Sequence, residues 1–136
     1  MERSQEILDL YMRYAQGDLR GTPADQVISN TPAVSMIGSD PTEWSTNRAQ
    51  IVQAADMQGQ ASRSAGVQTV TSNPQAWAEG DLGWVIDQPR LRLPNGAEVQ
   101  MRVTTIVHRE GGTWKLVHQH ASIGVPNDSI EVFRGQ

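Results

Sequence analysis

Three kinds of side chain in this 136-residue chain stand where they could do chemistry: a carboxylate in an apolar run, two tyrosines about one helical turn apart, and two histidines spaced by two. Asp87 interrupts Trp84-Val85-Ile86 in mid-strand, where a carboxylate is costly unless it is solvated or paired. Enclosed in a cavity, it could serve as a general acid or base, with Tyr14 or Gln119 as an orienting donor. Facing solvent near a strand end, it would do nothing. Tyr11 and Tyr14 could direct their hydroxyls at a ligand oxygen; the plainer role is that of core residues with satisfied tips.

His118 and His120 share one face of a strand, which is how a sheet presents two imidazoles to a metal. A metal site needs at least a third ligand, and His108 lies on the preceding strand. The turn at Gly111-Gly112 decides what surrounds them. A two-residue turn pairs His118 with Thr105 and His120 with Val103; a three-residue turn with a glycine bulge pairs them with Thr104 and Arg102. The second register is preferred, because it gathers Met101, Val103, Thr105, Val107, Val117, Gln119, Ala121 and Ile123 on one mostly apolar face. It leaves the histidines with Trp114, Leu116, Ile106, Arg102 and Thr104 on the other. Arg102 beside His120 would repel a cation, so no metal is assigned and the histidines are read as structural. Asp40 and Glu43 fit helix capping, Trp44 a cavity rim, and Trp84 and Trp114 core or interface anchors.

The elements that must position these groups change period along the chain. Ile7, Leu8, Tyr11, Tyr14 and Ala15 recur at helical spacing up to Gly17. Pro23 can open a short second helix through about Ser29. Val34–Ile37 reads as a strand and Gly38-Ser39-Asp40-Pro41 as a turn. A third helix, capped by Ser45 or Thr46, turns Ile51, Val52 and Ala55 inward and ends near Gly59. The Gln- and Gly-rich stretch Gln58–Gly66 is either a lid or a connector. Beyond residue 65 the pattern alternates: Val67–Thr71 with Ala76–Trp77, then Leu82–Leu93, Glu98–Arg109 and Trp114–Ile123, joined by hairpin turns at Pro94-Asn95-Gly96 and Gly111-Gly112. Helices followed by a strand meander is an α+β arrangement with the helices on one face.

Composition narrows the function classes. The net charge is −4 and the basic residues are scattered, without the basic stripe that nucleic-acid binding requires. Zero cysteines exclude disulfides, thiol nucleophiles and thiolate metal sites. No apolar run is long enough for a membrane helix and no signal peptide is visible, so a cytoplasmic protein is expected.

Two motifs carry a family resemblance. Gly38-Ser39-Asp40-Pro41-Thr42-Glu43-Trp44 resembles the turn before a helix in SnoaL-like domains of the nuclear transport factor 2-like superfamily. His108–Ser122 (HREGGTWKLVHQHAS) resembles their terminal hairpin and is similar to the end of the calcium/calmodulin-dependent protein kinase association domain. The resemblance implies one domain over residues 1–136, a cone-shaped α+β barrel with three N-terminal helices on a strongly curved antiparallel sheet. It also implies a cavity between helices and sheet, and a homodimer through the outer sheet face. Ligand-contacting arginines of the kinase domain match Thr105 and Ala121, which points to that face as the cavity lining. The implied ligand-binding set is Tyr11, Trp44, Val103, Thr105, Gln119 and Ala121, with Asp87 and Tyr14 as the catalytic pair and no cofactor. The loss of those arginines argues against a carboxylate ligand. Steroid isomerase activity is disfavoured, because its base would fall within Ser35–Ile37 and its acid near Thr104, where no carboxylate stands. Two functions remain: binding of a small, mainly apolar molecule with cofactor-independent acid/base chemistry, or a non-catalytic dimerisation module with a vestigial cavity.

Overall fold

Ser4 starts the first helix by accepting a hydrogen bond from the Ile7 amide at 3.2 Å, and α1 runs Gln5–Ala15. The computed structural model describes residues 1–133, with the side chains of all of these except 58–63 and 133. In α1 the buried side chains are Ile7, Leu10, Tyr11 and Tyr14, a spacing that turns one stripe to a core. Leu10 fills the stripe, whereas Ala15, expected inward, is exposed. Gly17 follows with φ 66°, a left-handed conformation that glycine adopts without steric cost.

The second helix, α2 (Ala24–Val27), is shorter than expected. Four residues do not hold a helix unaided. Arg48, the first residue of α3 (Arg48–Ser64), donates to the carbonyls of Asp25 at 2.7 Å, Ile28 at 3.1 Å and Ser29 at 2.8 Å. One guanidinium thereby completes the end of α2 and ties it to α3. The cap of α3 is Asn47, which accepts from the Gln50 amide at 3.0 Å, and not Ser45 or Thr46. Ile51 and Ala55 are buried as expected. The helix continues past Gly59 to Ser64; of the expected lid at Gln58–Gly66, the side chains of 58–63 lie outside the described residues.

The strands are β1 (Glu2–Arg3), β2 (Ser35–Ile37), β3 (Trp44–Ser45), β4 (Gln68–Thr71), β5 (Gln75–Glu79), β6 (Leu82–Asp87), β7 (Arg90–Arg92), β8 (Glu98–Glu110) and β9 (Thr113–Ile123). The Gly38–Trp44 motif closes the hairpin between β2 and β3 instead of leading straight into a helix. Asp40 accepts from the Thr42 amide at 2.9 Å, and Glu43 accepts from the Asp40 amide at 3.0 Å, which folds the turn on itself.

The main sheet runs β1-β5-β6-β8-β9-β2-β3. Long β8 pairs with β6 over Val103–His108 and with β7 over Glu98–Gln100, and β4 adds to β7. The expected strand Leu82–Leu93 is thus divided at Gln88-Pro89, and the expected stretches Val67–Thr71 and Ala76–Trp77 form two strands separated by Ser72-Asn73-Pro74. The path ends at β1 and β3 without closing, and β2 lies parallel to β9. The sheet is curved, open and mixed, not antiparallel throughout as expected: β2 enters from the helical half of the chain and pairs in the direction of β9.

The β8–β9 hairpin starts in the two-residue-turn register, not the preferred three-residue one, and leaves it before reaching the histidines. Gly111 and Gly112 have φ of 60° and 79°, the signature of a two-residue type I′ turn. Glu110 pairs with Thr113 and Val107 with Leu116, but Ile106 pairs with His118 and Thr104 with His120. Val117 is the extra residue, a β-bulge inside the strand. Beyond it the preferred faces form: Thr105 and Gln119 are buried while Thr104 and His120 are exposed. Before it they reverse, and Trp114 and Leu116 lie in the core instead of outside with the histidines.

The core packs Ile7 and Tyr11 of α1 with Ile28, Ile51, Val85, Val107 and Leu116. At Gly83 the absence of a side chain lets α1 approach the sheet closely. A Cβ there would collide with the Ile7 side chain and lie 2.7 Å from the Trp77 carbonyl and 3.1 Å from Val107. Gly83→Ala is expected to destabilise the fold by about 1–3 kcal/mol, read as a lower urea midpoint at unchanged slope.

Candidate functional site

Asp87 is the last residue of β6, on the same side of the strand as buried Val85 and Gly83. The break before Pro89 and the break between β4 and β5 bring three donors to its carboxylate. Tyr11 of α1 donates from its hydroxyl at 2.7 Å, Ser72 from its hydroxyl at 2.8 Å, and the Asn73 amide at 3.2 Å. Asp87 is 6% exposed. It faces the interior, so the reading in which it points to solvent does not hold. Burial first, then the hydrogen bond to Asp87 and the charge of Asp87, push the Tyr11 phenol well above its ordinary range. Tyr11 therefore remains a proton donor.

Tyr11, Ser72 and Asp87 line a cavity of about 160 Å³ whose walls also include Met12, Leu91, Met101, Val103 and Ala121. A second cavity of about 490 Å³ shares Met101, Gln119 and Ala121 with the first. It extends past Tyr14, Met36 and Ile51 to Trp44, which is 70% exposed. The smaller cavity lies between α1 and the sheet, and the larger one between α1, α3 and the sheet.

The residues singled out from the sequence divide between these spaces. Tyr11, Asp87 and Val103 line the smaller cavity, Tyr14 and Trp44 the larger, and Gln119 and Ala121 both. Tyr11, not Tyr14, is the phenol bonded to Asp87; burial pushes the Tyr14 phenol upward. Thr105 is fully buried and lines neither cavity, its hydroxyl accepting from Gln119 Nε2 at 3.1 Å. Ser72, Asn73 and Met36 went unassigned in the sequence. The turn composition Ser72-Asn73-Pro74 was visible, but nothing in it identifies a carboxylate fifteen residues away.

The histidines lie elsewhere. His118 on the outer face meets Ser35 Oγ through Nδ1 at 2.7 Å. Burial, then the charge of His120, lowers its pKa, with Ser35 pulling partly the other way. Among the described residues no three His, Asp or Glu side chains converge as metal ligands.

His108 instead belongs to a clamp at the hairpin end. Glu110 accepts from the Ser29 hydroxyl, from the Asn30 amide at 3.0 Å and from His108 at 3.0 Å. A serine, a carboxylate and a histidine meet there in the wrong order for nucleophilic catalysis: the carboxylate separates the histidine from the hydroxyl it would have to deprotonate. Burial pushes the Glu110 carboxyl up, but Ser29, Asn30 and His108 outweigh it and hold its pKa at about 2. A folded-state pKa below the unfolded one gives stability that is full above the unfolded value and lost as pH falls. Stability is expected to decline between about pH 4.5 and about pH 2, and urea denaturation across that window should show a flatter decline in Glu110→Gln.

The SnoaL-like domain profile matches residues 5–126. A nuclear transport factor 2-like (NTF2-like) protein with a cystatin-like fold from Novosphingobium aromaticivorans superimposes with TM-score 0.66 at 15% identity, over 95% of this chain and 86% of its own. A Streptomyces avermitilis protein of the NTF2-like family, provisionally assigned as a dehydratase, gives TM-score 0.64 at 18% identity over 90% and 96%. A Xanthomonas campestris domain, provisionally assigned as a calcium/calmodulin-dependent protein kinase II association domain, gives 0.59 at 17% over 88% and 86%. Among curated proteins none matches at a significant level.

Proposed function

The chain belongs to the SnoaL-like domain family of the nuclear transport factor 2-like superfamily, and from that premise we propose that it binds a small, mainly apolar molecule between its helices and its sheet. The observation that carries this reading is the unfilled interior. Met101, Gln119 and Ala121 border both cavities, so the small side chain of Ala121 leaves room where a larger residue would fill it. Mainly apolar walls with a few convergent polar groups are the usual composition of a ligand site. If the ligand is turned over, Asp87 and Tyr11 are the acid/base groups in reach, in an isomerase, cyclase or dehydratase type of reaction without a cofactor. Steroid isomerase chemistry stays disfavoured, since Thr104 is exposed and Ser35–Ile37 carries no carboxylate.

A ligand at one hundred times its Kd stabilises the native state by about 2.7 kcal/mol, a melting shift on the order of 10 °C for a domain of this size. Screening apolar aromatic compounds should find such shifts, and Ala121→Phe should remove them while the chain stays folded. No shift with any compound would count against the proposal.

The association reading has its own support in the outer sheet face, where Ile86 is 49% and Ile106 38% exposed beside Trp84. A homodimer through this face is compatible with an occupied cavity, and association domains are among the structural neighbours. Ile106→Glu is expected to convert a dimer to monomer in light scattering; a wild-type monomer at micromolar concentration would overturn the dimer. No helix among the described residues is long and apolar enough to cross a membrane, and a cytoplasmic location belongs to the same proposal.

A further inference from the structure

We infer that the ligand is a small apolar amine, bound as its ammonium ion against the Asp87 carboxylate. The inference rests on the cavity reading above and specifies its ligand class.

Asp87 is buried, yet its three hydrogen-bond partners are a phenol, an alcohol and a peptide amide, all neutral. Among the described residues no Lys, Arg or His nitrogen lies within ion-pair distance of it. A buried carboxylate without a cation bears a desolvation cost that dipoles offset only in part. Its acceptor capacity is also unfilled. Oδ2 takes the bonds from Tyr11 and Ser72, while Oδ1 takes only the Asn73 amide at 3.2 Å. A carboxylate offers about four acceptor positions, so one remains on Oδ1.

The surroundings select the rest of the molecule. Asp87 borders the same cavity as Met12, Pro89, Leu91, Met101 and Val103, a wall suited to a hydrocarbon or aromatic body. An ammonium group on that body would donate to the Asp87 carboxylate and bring it a positive charge. An alcohol of the same shape would make one neutral hydrogen bond and bring no charge to the carboxylate. A carboxylate would meet like charge. The order of affinity is therefore amine, alcohol, carboxylate.

The test is calorimetric titration of the full chain near neutral pH with benzylamine, benzyl alcohol and benzoate. Benzylamine should bind at least about tenfold tighter than benzyl alcohol, since the charge-assisted contact is roughly twice as strong as a neutral one, and benzoate should be silent. Asp87→Asn should bring the amine down to the level of the alcohol. Should that variant fail to fold, the wild-type comparison decides alone. Benzyl alcohol binding as tightly as benzylamine would overturn the amine inference and leave the cavity reading intact, and so would an unchanged amine preference in Asp87→Asn. Silence from all three probes, with indole and naphthol also silent, would overturn both.

Discussion

A single extra residue in β9, Val117, governs how the longest hairpin of this protein meets its helices. An uninterrupted strand presents alternate residues to one face, so Trp114 and Leu116 could not share a face with Gln119 and Ala121. The bulge at Val117 shifts the alternation by one. The hairpin end then contributes Trp114 and Leu116 to the core, and the other end contributes Gln119 and Ala121 to the cavity. The same shift holds His118 and His120 on the outer face. Core, cavity wall and outer surface all depend on that local irregularity.

Asp87 performs a comparable linking role at the cavity end. Its carboxylate joins α1 through Tyr11 to the β4–β5 connection through Ser72 and Asn73. Both strand interruptions make this possible. Ser72-Asn73-Pro74 leaves the ladder to reach Asp87, and Pro89, which cannot donate to a ladder, offers its carbonyl to the Met101 amide at 2.8 Å. Three neutral donors offset part of the cost of burying this acid.

The helices are seated by similar long-range contacts. Arg48 satisfies the end of α2, and the Ser29–Glu110–His108 clamp fastens the following loop to the tip of the hairpin. These polar ties lie at the margin of the apolar core, where partial exposure limits the cost of the charges they carry.

Much of this was legible in the chain itself, because it depends on local periodicity. The stripe Ile7-Tyr11-Tyr14, the glycine after α1, the glycine turn at Gly111-Gly112 and the strand patterns on either side of it specify elements that fold according to their own neighbours. They also specify the α+β order, and Asp87 stood out as a charge in an apolar strand. The tertiary structure alone decided the bulge at Val117, the parallel seating of β2 on β9, the partnership of Asp87 with Tyr11 and Ser72, and the Ser29–Glu110 clamp. Each is a contact between residues far apart in sequence, or a register set by packing from the opposite layer. Local alternation cannot encode where one residue is skipped; the need of Trp114 and Gln119 to reach the same interior does.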